Sequence, residues 1–246
     1  MKNKVMNQLH IKLLVIVLSF MHLGVSAQEA KASSTGLSAK QKSIVKIASL
    51  TAKGDLNALE NSLNSGLDNG LSVNEIKEII VHLYAYCGFP RSIRGLQTLI
   101  SVLDERKARG IEDQWGREAA KINDTRNKYA RGVETLEELI QNKLGPKPAY
   151  QEFSPEIDVF LKEHLFADIF ERDVLTYQQR ELTTISVIAT LGNLDPMLRG
   201  HLNISMNVGL SRDQLEDFIS TLESTVGKKK AKEANNVLRE VLNARG

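Results

Sequence analysis

The sequence has one cysteine, five prolines and few aromatic residues. Because Cys87 has no partner in the chain, an internal disulfide is excluded, and the fold must rely on an ordinary apolar core. No His-Glu-x-x-His pattern, cysteine pair or dense cluster of Asp, Glu and His suggests a metal site. The Gly-x-Ser-x-Gly pattern and the glycine-rich phosphate loops are also missing. We therefore expect neither a metal nor an organic cofactor, and no serine nucleophile.

Residues 1–27 have the pattern of a secretory signal peptide. A basic start with Lys2, Lys4 and Lys12 precedes an apolar segment from Leu13 to Met21, and small residues end at Ala27. The apolar segment is short for a bilayer crossing, so we expect cleavage after Ala27 and export to the periplasm or the medium, with no stable membrane span left. A short membrane anchor is the alternative.

The balance of charge argues against a nucleic-acid binder. The whole chain carries a net charge of +2. Cleavage after Ala27 removes three lysines and no acidic residue, so the remaining chain has a net charge of about −1. A protein that binds nucleic acid through phosphates needs an excess of basic residues on one face.

Two segments of the chain resemble each other. Residues 37–56 align with residues 175–194, and after one extra residue the match resumes at Leu59 and Leu198. It continues through paired glycines, such as Gly88 and Gly227, to the end of the chain. The separation of about 139 residues is far longer than a solenoid repeat, so it indicates duplication of a domain.

Each copy has the sequence pattern of helices joined by short turns, and no alternating strand pattern stands out. Ser38, Asp55, Ser72 and Ser211 are predicted helix caps, and Gly88-Phe89-Pro90 is predicted to break a helix. We predict an all-α fold with five segments: a signal peptide (1–27), a flexible N-terminus (28–36), a first copy (37–107), a charged, partly helical connector (108–150) with a helix over 134–141, and a second copy (151–246). An amphipathic helical pattern is predicted over 158–170.

Three histidines follow residue 27, and histidine is the usual proton carrier near neutral pH. We interpret His82 as a structural or partly exposed residue and His164 as a surface residue. His201 is the candidate for chemistry, because Glu181 lies twenty residues earlier in a polar cluster that opens an otherwise apolar helix. Cys87 is interpreted as a buried, inert thiol, with a reactive thiol as the alternative.

Several motifs together resemble the carboxymuconolactone decarboxylase family. The first copy has Asn69-Gly-Leu-Ser-Val-Asn-Glu-Ile-Lys-Glu and then Tyr84-Ala-Tyr-Cys-Gly-Phe-Pro90. The second copy is similar to the upstream family motifs, through the segments 164–175, 176–192 and 200–203, and Tyr129-Ala-Arg-Gly resembles the family's usual N-terminal opening. The resemblance covers nearly all of residues 37–245, and the order and spacing of the motifs make it strong.

The resemblance implies small helical domains that assemble as homo-oligomers. It also implies one of two chemistries. The first is the cofactor-free decarboxylation of a carboxylated muconolactone. The second is a thiol peroxidase that uses Glu, Cys-x-x-Cys and His. This chain departs from the peroxidase pattern, because Pro90 stands where the second cysteine is needed and Arg94 lies in the stretch where the histidine is expected.

The two copies depart from the family pattern in complementary ways. Copy two keeps Glu181 and His201, where copy one has Ser43 and Ser62, whereas copy one keeps the Tyr-x-Gly-Phe-Pro motif. We therefore predict one composite pocket per chain, formed by Arg180, Glu181 and His201 from copy two with Tyr86, Cys87 and Pro90 from copy one. The alternative is that copy one has become a scaffold and copy two has lost its activity.

In the composite pocket we predict that His201 moves a proton on or off carbon and that Glu181 orients its imidazole. Arg180 and Arg199 are predicted to hold substrate carboxylates, and Tyr86 to donate a hydrogen bond to a developing enolate oxygen. The expected activity is that of a cofactor-independent lyase or isomerase, and the expected partner is a small carboxylate or lactone. The alternatives are an alkylhydroperoxidase-like activity through Cys87 and a non-catalytic, ligand-binding oligomer.

Overall fold

The computed structural model describes residues 36–245. These residues form ten α-helices and one π-helix, joined by turns and loops. The first copy contains α1 (Ala39–Lys53), α2 (Leu56–Asp68) and α3 (Val73–Ala108). The connector contains α4 (Lys128–Ile140), and α5 (Ala149–Phe153), α6 (Pro155–Val159) and the π-helix Phe160–Ile169 lead into the second copy. The second copy contains α7 (Tyr177–Leu191), α8 (Asp195–Asn207), α9 (Arg212–Val226) and α10 (Lys228–Arg245).

The described residues include no β-strand, which confirms the prediction of an all-α fold. The predicted signal peptide and its cleavage site lie outside these residues. Within residues 36–245, no helix combines the length and the apolar character that a membrane crossing requires.

The helix starts repeat between the copies at the level of hydrogen bonds. Capping boxes with Gln41 and Gln179 open α1 and α7, where the caps are Ser38 and Thr176. Ser72 and Ser211 cap α3 and α9 in the same way. A side-chain oxygen at the cap satisfies an amide of the first turn, so short local patterns fix these boundaries.

The third helix of each copy is interrupted at an equivalent glycine. Gly88 has φ 82° and ψ 159°, and Gly227 has φ 99° and ψ 162°. Only glycine adopts this backbone region at low cost. The chain bends at Gly88 within α3, as predicted, and the second copy has an equivalent bend at Gly227 between α9 and α10.

The segment from α4 to the π-helix differs from its prediction in two places. Helix α4 begins at Lys128, not near residue 134, because Asn127 caps it by accepting from the amide of Ala130. The segment predicted as amphipathic helix forms α6 and then a ten-residue π-helix. An added Cβ at Gly132 would lie 1.8 Å from the carbonyl oxygen of Lys162, so the π-helix and α4 approach each other closely there.

One core joins the two copies. Helix α1 packs against α7, and residues such as Ile47 and Ile185 are fully buried in the same apolar cluster. A smaller cluster around Leu139, Phe166 and Phe170 packs α4 and the π-helix against α8. Each such side chain contributes roughly 1.5–3 kcal/mol when it is buried. The copies therefore stabilise each other, and neither has a separate core.

Candidate active site between the two copies

A histidine and a buried glutamate are paired at the contact between α7 and α8. Nδ1 of His201 lies 2.9 Å from Oε2 of Glu181. Glu181 is fully buried, whereas the side chain of His201 is 16% exposed. A buried carboxylate needs a hydrogen-bond partner, which the imidazole supplies. The second oxygen, Oε1 of Glu181, is buried without a partner among the described residues.

A tyrosine from the other copy completes this cluster. The ring of Tyr86 on α3 lies 6.2 Å from the ring of His201 in an edge-to-face arrangement. Burial, followed by the charge of Glu181, raises the pKa of Tyr86 well above its ordinary value. The phenol therefore stays protonated near neutral pH and remains a hydrogen-bond donor. The structure thus brings together three of the predicted site residues, from both copies.

His82 was not among the predicted site residues, but it lies next to Tyr86 in the structure. His82 is fully buried on α3, one helical turn before Tyr86, and its ring lies 5.3 Å from the Tyr86 ring. Its Nε2 is 2.8 Å from Oγ1 of Thr184, and its Nδ1 is 3.3 Å from Nη1 of Arg180. Burial, and then the charges of Arg180 and His201, hold its pKa well below the ordinary value, so His82 is neutral. The i, i+4 spacing from Tyr86 was the available signal.

Arg180 does not face the pocket as predicted. It is fully buried, donates to the carbonyl oxygen of Arg172 and to His82, and lies 3.7 Å from the carboxylate of Glu78. Burial lowers its pKa to about 10, so it remains charged near neutral pH. A guanidinium with these partners is not available to a substrate carboxylate. Arg180 instead supplies a fixed positive charge behind His82.

Arg199, Cys87 and Pro90 also lie outside the cluster of Glu181, His201 and Tyr86. Arg199 lies two positions before His201, so the two side chains face different sides of α8. Arg199 forms a surface ion pair with Glu240 of α10. Cys87 is half-buried, donates to the carbonyl oxygen of Leu83, and has a pKa raised by burial. Pro90 is exposed after the bend at Gly88. These three predicted site residues are therefore not brought to His201.

Phe170 from the start of the second copy packs against His82 and Arg180. Phe170 lies at the end of the π-helix, and its ring is 5.2 Å from that of His82. The guanidinium of Arg180 lies 5.9 Å from the centre of the same ring. A cation close to an aromatic ring is stabilised electrostatically, more so where water is excluded. His164, by contrast, is half-exposed and lies beside Asp168, as expected of a surface residue.

The duplicated fold contains a second region equivalent to this site, between α1, α2 and α9. Nζ of Lys42 lies 3.0 Å from Oδ2 of Asp217 there, as Arg180 lies beside Glu78 in the first region. The equivalent positions carry hydroxyl groups in place of the titratable site residues: Ser43 for Glu181, Ser62 for His201 and Thr225 for Tyr86. We call the first group of side chains (Glu181, His201 and Tyr86) the histidine pocket and the second group (Ser43, Ser62 and Thr225) the hydroxyl pocket, and the names refer to these side chains.

The histidine pocket is suited to proton transfer. Glu181 holds one imidazole nitrogen of His201, and no hydrogen bond among the described residues uses the other, Nε2. A phenolic donor stands beside it. No group of three His, Cys, Asp or Glu side chains converges as a metal site would in the part of the chain that the structure describes.

Comparisons with known proteins agree with the resemblance. The chain matches the model of the carboxymuconolactone decarboxylase family over residues 20–99 and again over residues 155–240, which confirms the tandem arrangement. A similar protein from Acinetobacter baylyi, a 4-carboxymuconolactone decarboxylase, is 28% identical over 94 residues. These residues are 37% of this chain and 69% of that protein.

Proposed function

The chain belongs to the carboxymuconolactone decarboxylase family, and from this premise we propose that it is a cofactor-independent lyase or isomerase acting on a small carboxylated lactone or a related acid. The observation that supports this most is the pair of His201 and Glu181, 2.9 Å apart, with Tyr86 of the other copy beside it. A positioned imidazole is the usual general acid or base near neutral pH.

Glu181, His201 and Tyr86 each have one role in the proposed reaction. Nδ1–H of His201 donates to Glu181, which leaves Nε2 to exchange a proton with substrate carbon. In a decarboxylation, the carbon–carbon bond to the carboxylate breaks, CO2 leaves, and its electron pair forms an enolate. His201, protonated at Nε2, then gives its proton to the enolate carbon and regains one from solvent. Tyr86 donates a hydrogen bond to the enolate oxygen.

The first compound to test is 4-carboxymuconolactone, because the similar protein from Acinetobacter baylyi carries that name. The reaction should be followed in D2O by proton NMR, with related lactone carboxylates beside it. We expect loss of CO2, or deuterium incorporation at the neighbouring carbon, with the wild-type protein. His201→Ala should lower the rate about 10²–10⁴-fold, the usual range for removal of a general acid or base.

Ser62→Ala is the matched control, since Ser62 is the position equivalent to His201 in the first copy. It should turn over substrate at the wild-type rate. An unchanged rate in His201→Ala would refute the proposed role of the histidine. If the wild-type protein binds these compounds without converting them, the protein is a ligand-binding member of the family and not a lyase.

Two observations argue against a thiol peroxidase. Burial raises the pKa of Cys87, which reduces the fraction of reactive thiolate near neutral pH. Pro90 occupies the position of the second cysteine. We expect Cys87→Ala to retain the wild-type rate with the lactone, and the wild-type protein to show no peroxide consumption above that of Cys87→Ala.

We also propose that the protein is exported. The support is the basic start, the apolar segment and the small residues before position 28. Mass spectrometry of the N-terminal peptide from fractionated cells that express the full chain is the test. Gln28 should be the first residue in the periplasm or the medium, whereas an intact N-terminus in the membrane fraction would indicate the anchor.

We propose in addition that the protein is a homo-oligomer. Helix α3 presents exposed apolar side chains along one stripe, with Phe89, Ile93 and Ile100 all about half-exposed or more. Apolar stripes of this kind mark association surfaces in soluble proteins. Light scattering on the mature protein should give a mass of two or more chains, and Ile93→Glu with Ile100→Glu should reduce it. A monomeric wild-type protein would refute this assignment.

A further inference from the structure

A line of buried polar groups runs from Arg180 to Tyr86 behind the histidine pocket. Nη1 of Arg180 lies 3.3 Å from Nδ1 of His82, and Nε2 of His82 lies 2.8 Å from Oγ1 of Thr184. Oγ1 of Thr184 lies 3.4 Å from the hydroxyl oxygen of Tyr86. Arg180, His82 and Thr184 are fully buried, so water does not compete for these hydrogen bonds.

The chemistry of the groups fixes the direction of the first two hydrogen bonds of the line, from Arg180 to His82 and from His82 to Thr184. A guanidinium has only donors, so Nδ1 of His82 must accept, and the proton of a neutral imidazole must be on Nε2. This Nε2–H donates to Oγ1 of Thr184. The hydroxyl proton of Thr184 then has two acceptors, the carbonyl oxygen of Arg180 at 2.9 Å and the oxygen of Tyr86 at 3.4 Å.

We propose that His82 and Thr184 are positioning residues that keep the hydroxyl of Tyr86 directed, as a hydrogen-bond donor, at the substrate oxygen that becomes negatively charged. This inference rests on the proposed function and adds to it the residues that act through Tyr86. When the Thr184 proton points at the Tyr86 oxygen, the Tyr86 proton is free to face the pocket beside His201. Hydrogen bonds in such a chain polarise and strengthen one another in a low-dielectric interior.

The hydroxyl pocket lacks this line, which supports a link between the line and the chemistry. Its equivalent positions carry Lys46 for Thr184, Thr221 for His82 and Thr225 for Tyr86. Lys46 is exposed, and the hydroxyls of Thr221 and Thr225 donate to carbonyl oxygens of their own helix, α9. Thr184 also donates to a carbonyl oxygen of its own helix, so the difference between the pockets is that the hydroxyl pocket has no imidazole donor at the position of His82 and an exposed lysine at that of Thr184.

The chemical consequence concerns the class of substrate. A neutral phenolic donor placed by this line favours an oxygen that gains charge during the reaction, such as the lactone carbonyl of a forming enolate. A fixed anion does not require such a directed, neutral donor. In a substrate analogue, the oxygen that would become the enolate oxygen can be replaced by a group that accepts no hydrogen bond. Tyr86 should then not lower the barrier to its reaction.

The first test is a double-mutant cycle on the turnover of the lactone substrate. Thr184→Val removes the hydroxyl with little change of shape, and Thr184→Ser keeps it. We expect Thr184→Val to lower kcat on the order of fivefold to tenfold, the effect of one hydrogen bond, with KM nearly unchanged, and Thr184→Ser to restore kcat. In a Tyr86→Phe background, Thr184→Val should cause no further loss.

Additive losses of Thr184→Val and Tyr86→Phe would overturn the inference, because Thr184 would then act independently of Tyr86. A rise in KM without a fall in kcat would overturn it too, because it would indicate a binding role. If Thr184→Val lowers stability, the cycle remains decisive when both backgrounds are measured below their unfolding temperatures.

The second test does not need turnover. NMR of the protein with 15N-labelled histidine reports the tautomer of each ring, and His82→Gln assigns the His82 signals. We expect His82, which lies between Arg180 and Thr184, to carry its proton on Nε2 and to be neutral at pH 7, because burial lowers its pKa. A proton on Nδ1, or a charged ring, would overturn the inference. Failure of the proposed function would instead appear as the expected tautomer without turnover by the wild-type protein.

Discussion

The histidine pocket and the hydroxyl pocket are formed by equivalent helices of the two copies but carry different side chains. In both, a basic residue of one copy faces an acidic residue of the other, as Lys42 faces Asp217. The histidine pocket then adds Glu181, His201 and Tyr86. In the hydroxyl pocket, Ser43 donates to Ala39 and accepts from Asn69.

The two copies therefore share their backbone features but differ in the side chains at the equivalent site positions. Backbone features such as the helix caps and the bends at Gly88 and Gly227 occur in both copies. One buried polar atom without a partner among the described residues, Oε1 of Glu181, belongs to the histidine pocket, and others, such as Oγ of Ser49 and Oγ of Ser92, lie elsewhere in the fold. Such atoms cost roughly 1–3 kcal/mol each.

The largest effects should be symmetric, because both copies contribute to one core. Ile47 and Ile185 are equivalent, fully buried residues of α1 and α7. We expect Ile47→Ala and Ile185→Ala each to destabilise the protein by about 2–5 kcal/mol, through the lost apolar contact and the cavity that remains. Urea unfolding followed by circular dichroism should show one transition for each variant. Two transitions, or an effect in one copy alone, would show that the copies fold separately.

The next effect should be confined to the histidine pocket. Glu181→Gln keeps the shape of the side chain but removes the charge that orients His201, and we expect kcat to fall about 10²-fold. Ser43→Ala, at the equivalent position, should keep the wild-type kcat. The kcat of both variants can be measured by quenching the reaction at fixed times and determining the remaining lactone. Equal losses in the two would mean that both pockets take part in the reaction.

The two glycine bends should again respond alike. Gly88→Ala and Gly227→Ala each force a Cβ into a backbone region that favours glycine, at a cost of about 1–3 kcal/mol. Thermal unfolding of both variants tests this, with Gly145→Ala as a control, since Gly145 lies in the connecting loop with open space around its Cα. A stable Gly227→Ala variant would contradict the structural equivalence of the bends.

The smallest effect concerns acid stability. The pKa of His82 is lowered in the folded state. Below about pH 6.5 the unfolded chain therefore binds a proton at this imidazole, whereas the folded chain does not. Stability should therefore fall as the pH drops below about 6.5, with a slope of up to about 1.4 kcal/mol per pH unit from this group. His82→Gln should flatten that slope, whereas Thr221→Ala should leave it unchanged. An unaltered slope in His82→Gln would show that His82 takes up a proton in the folded protein.

Much of the fold was predictable because its signals are local. Caps such as Ser38 and Ser72 act within one helical turn, and the duplication is visible in the sequence itself. The start of α4 was missed because Asn127 was not recognised as a cap. No local pattern indicated the π-helix, whose close approach to α4 at Gly132 depends on tertiary packing.

The site was predictable only in part. The complementary departures of the two copies pointed to Glu181, His201 and Tyr86, which the structure places together. Arg180 and Arg199 were predicted to hold substrate carboxylates, but Arg180 is buried against His82 of the other copy and Arg199 pairs with Glu240. These partners are distant in the chain, so the local sequence did not reveal them. His82 was interpreted as structural for the same reason, since its partners Thr184 and Arg180 are about 100 residues away in the chain.

A composite pocket can be tested by mapping a bound lactone carboxylate by NMR on the isotope-labelled mature protein. The ligand should shift the signals of His201 and Tyr86, which come from different copies, and leave those of Ser62 and Thr225 unchanged. His201→Ala should abolish the shift of Tyr86 at the same ligand concentration, while Ser62→Ala should preserve it. Equal shifts in both pockets, or shifts confined to the hydroxyl pocket, would contradict the claim that one composite pocket carries the function.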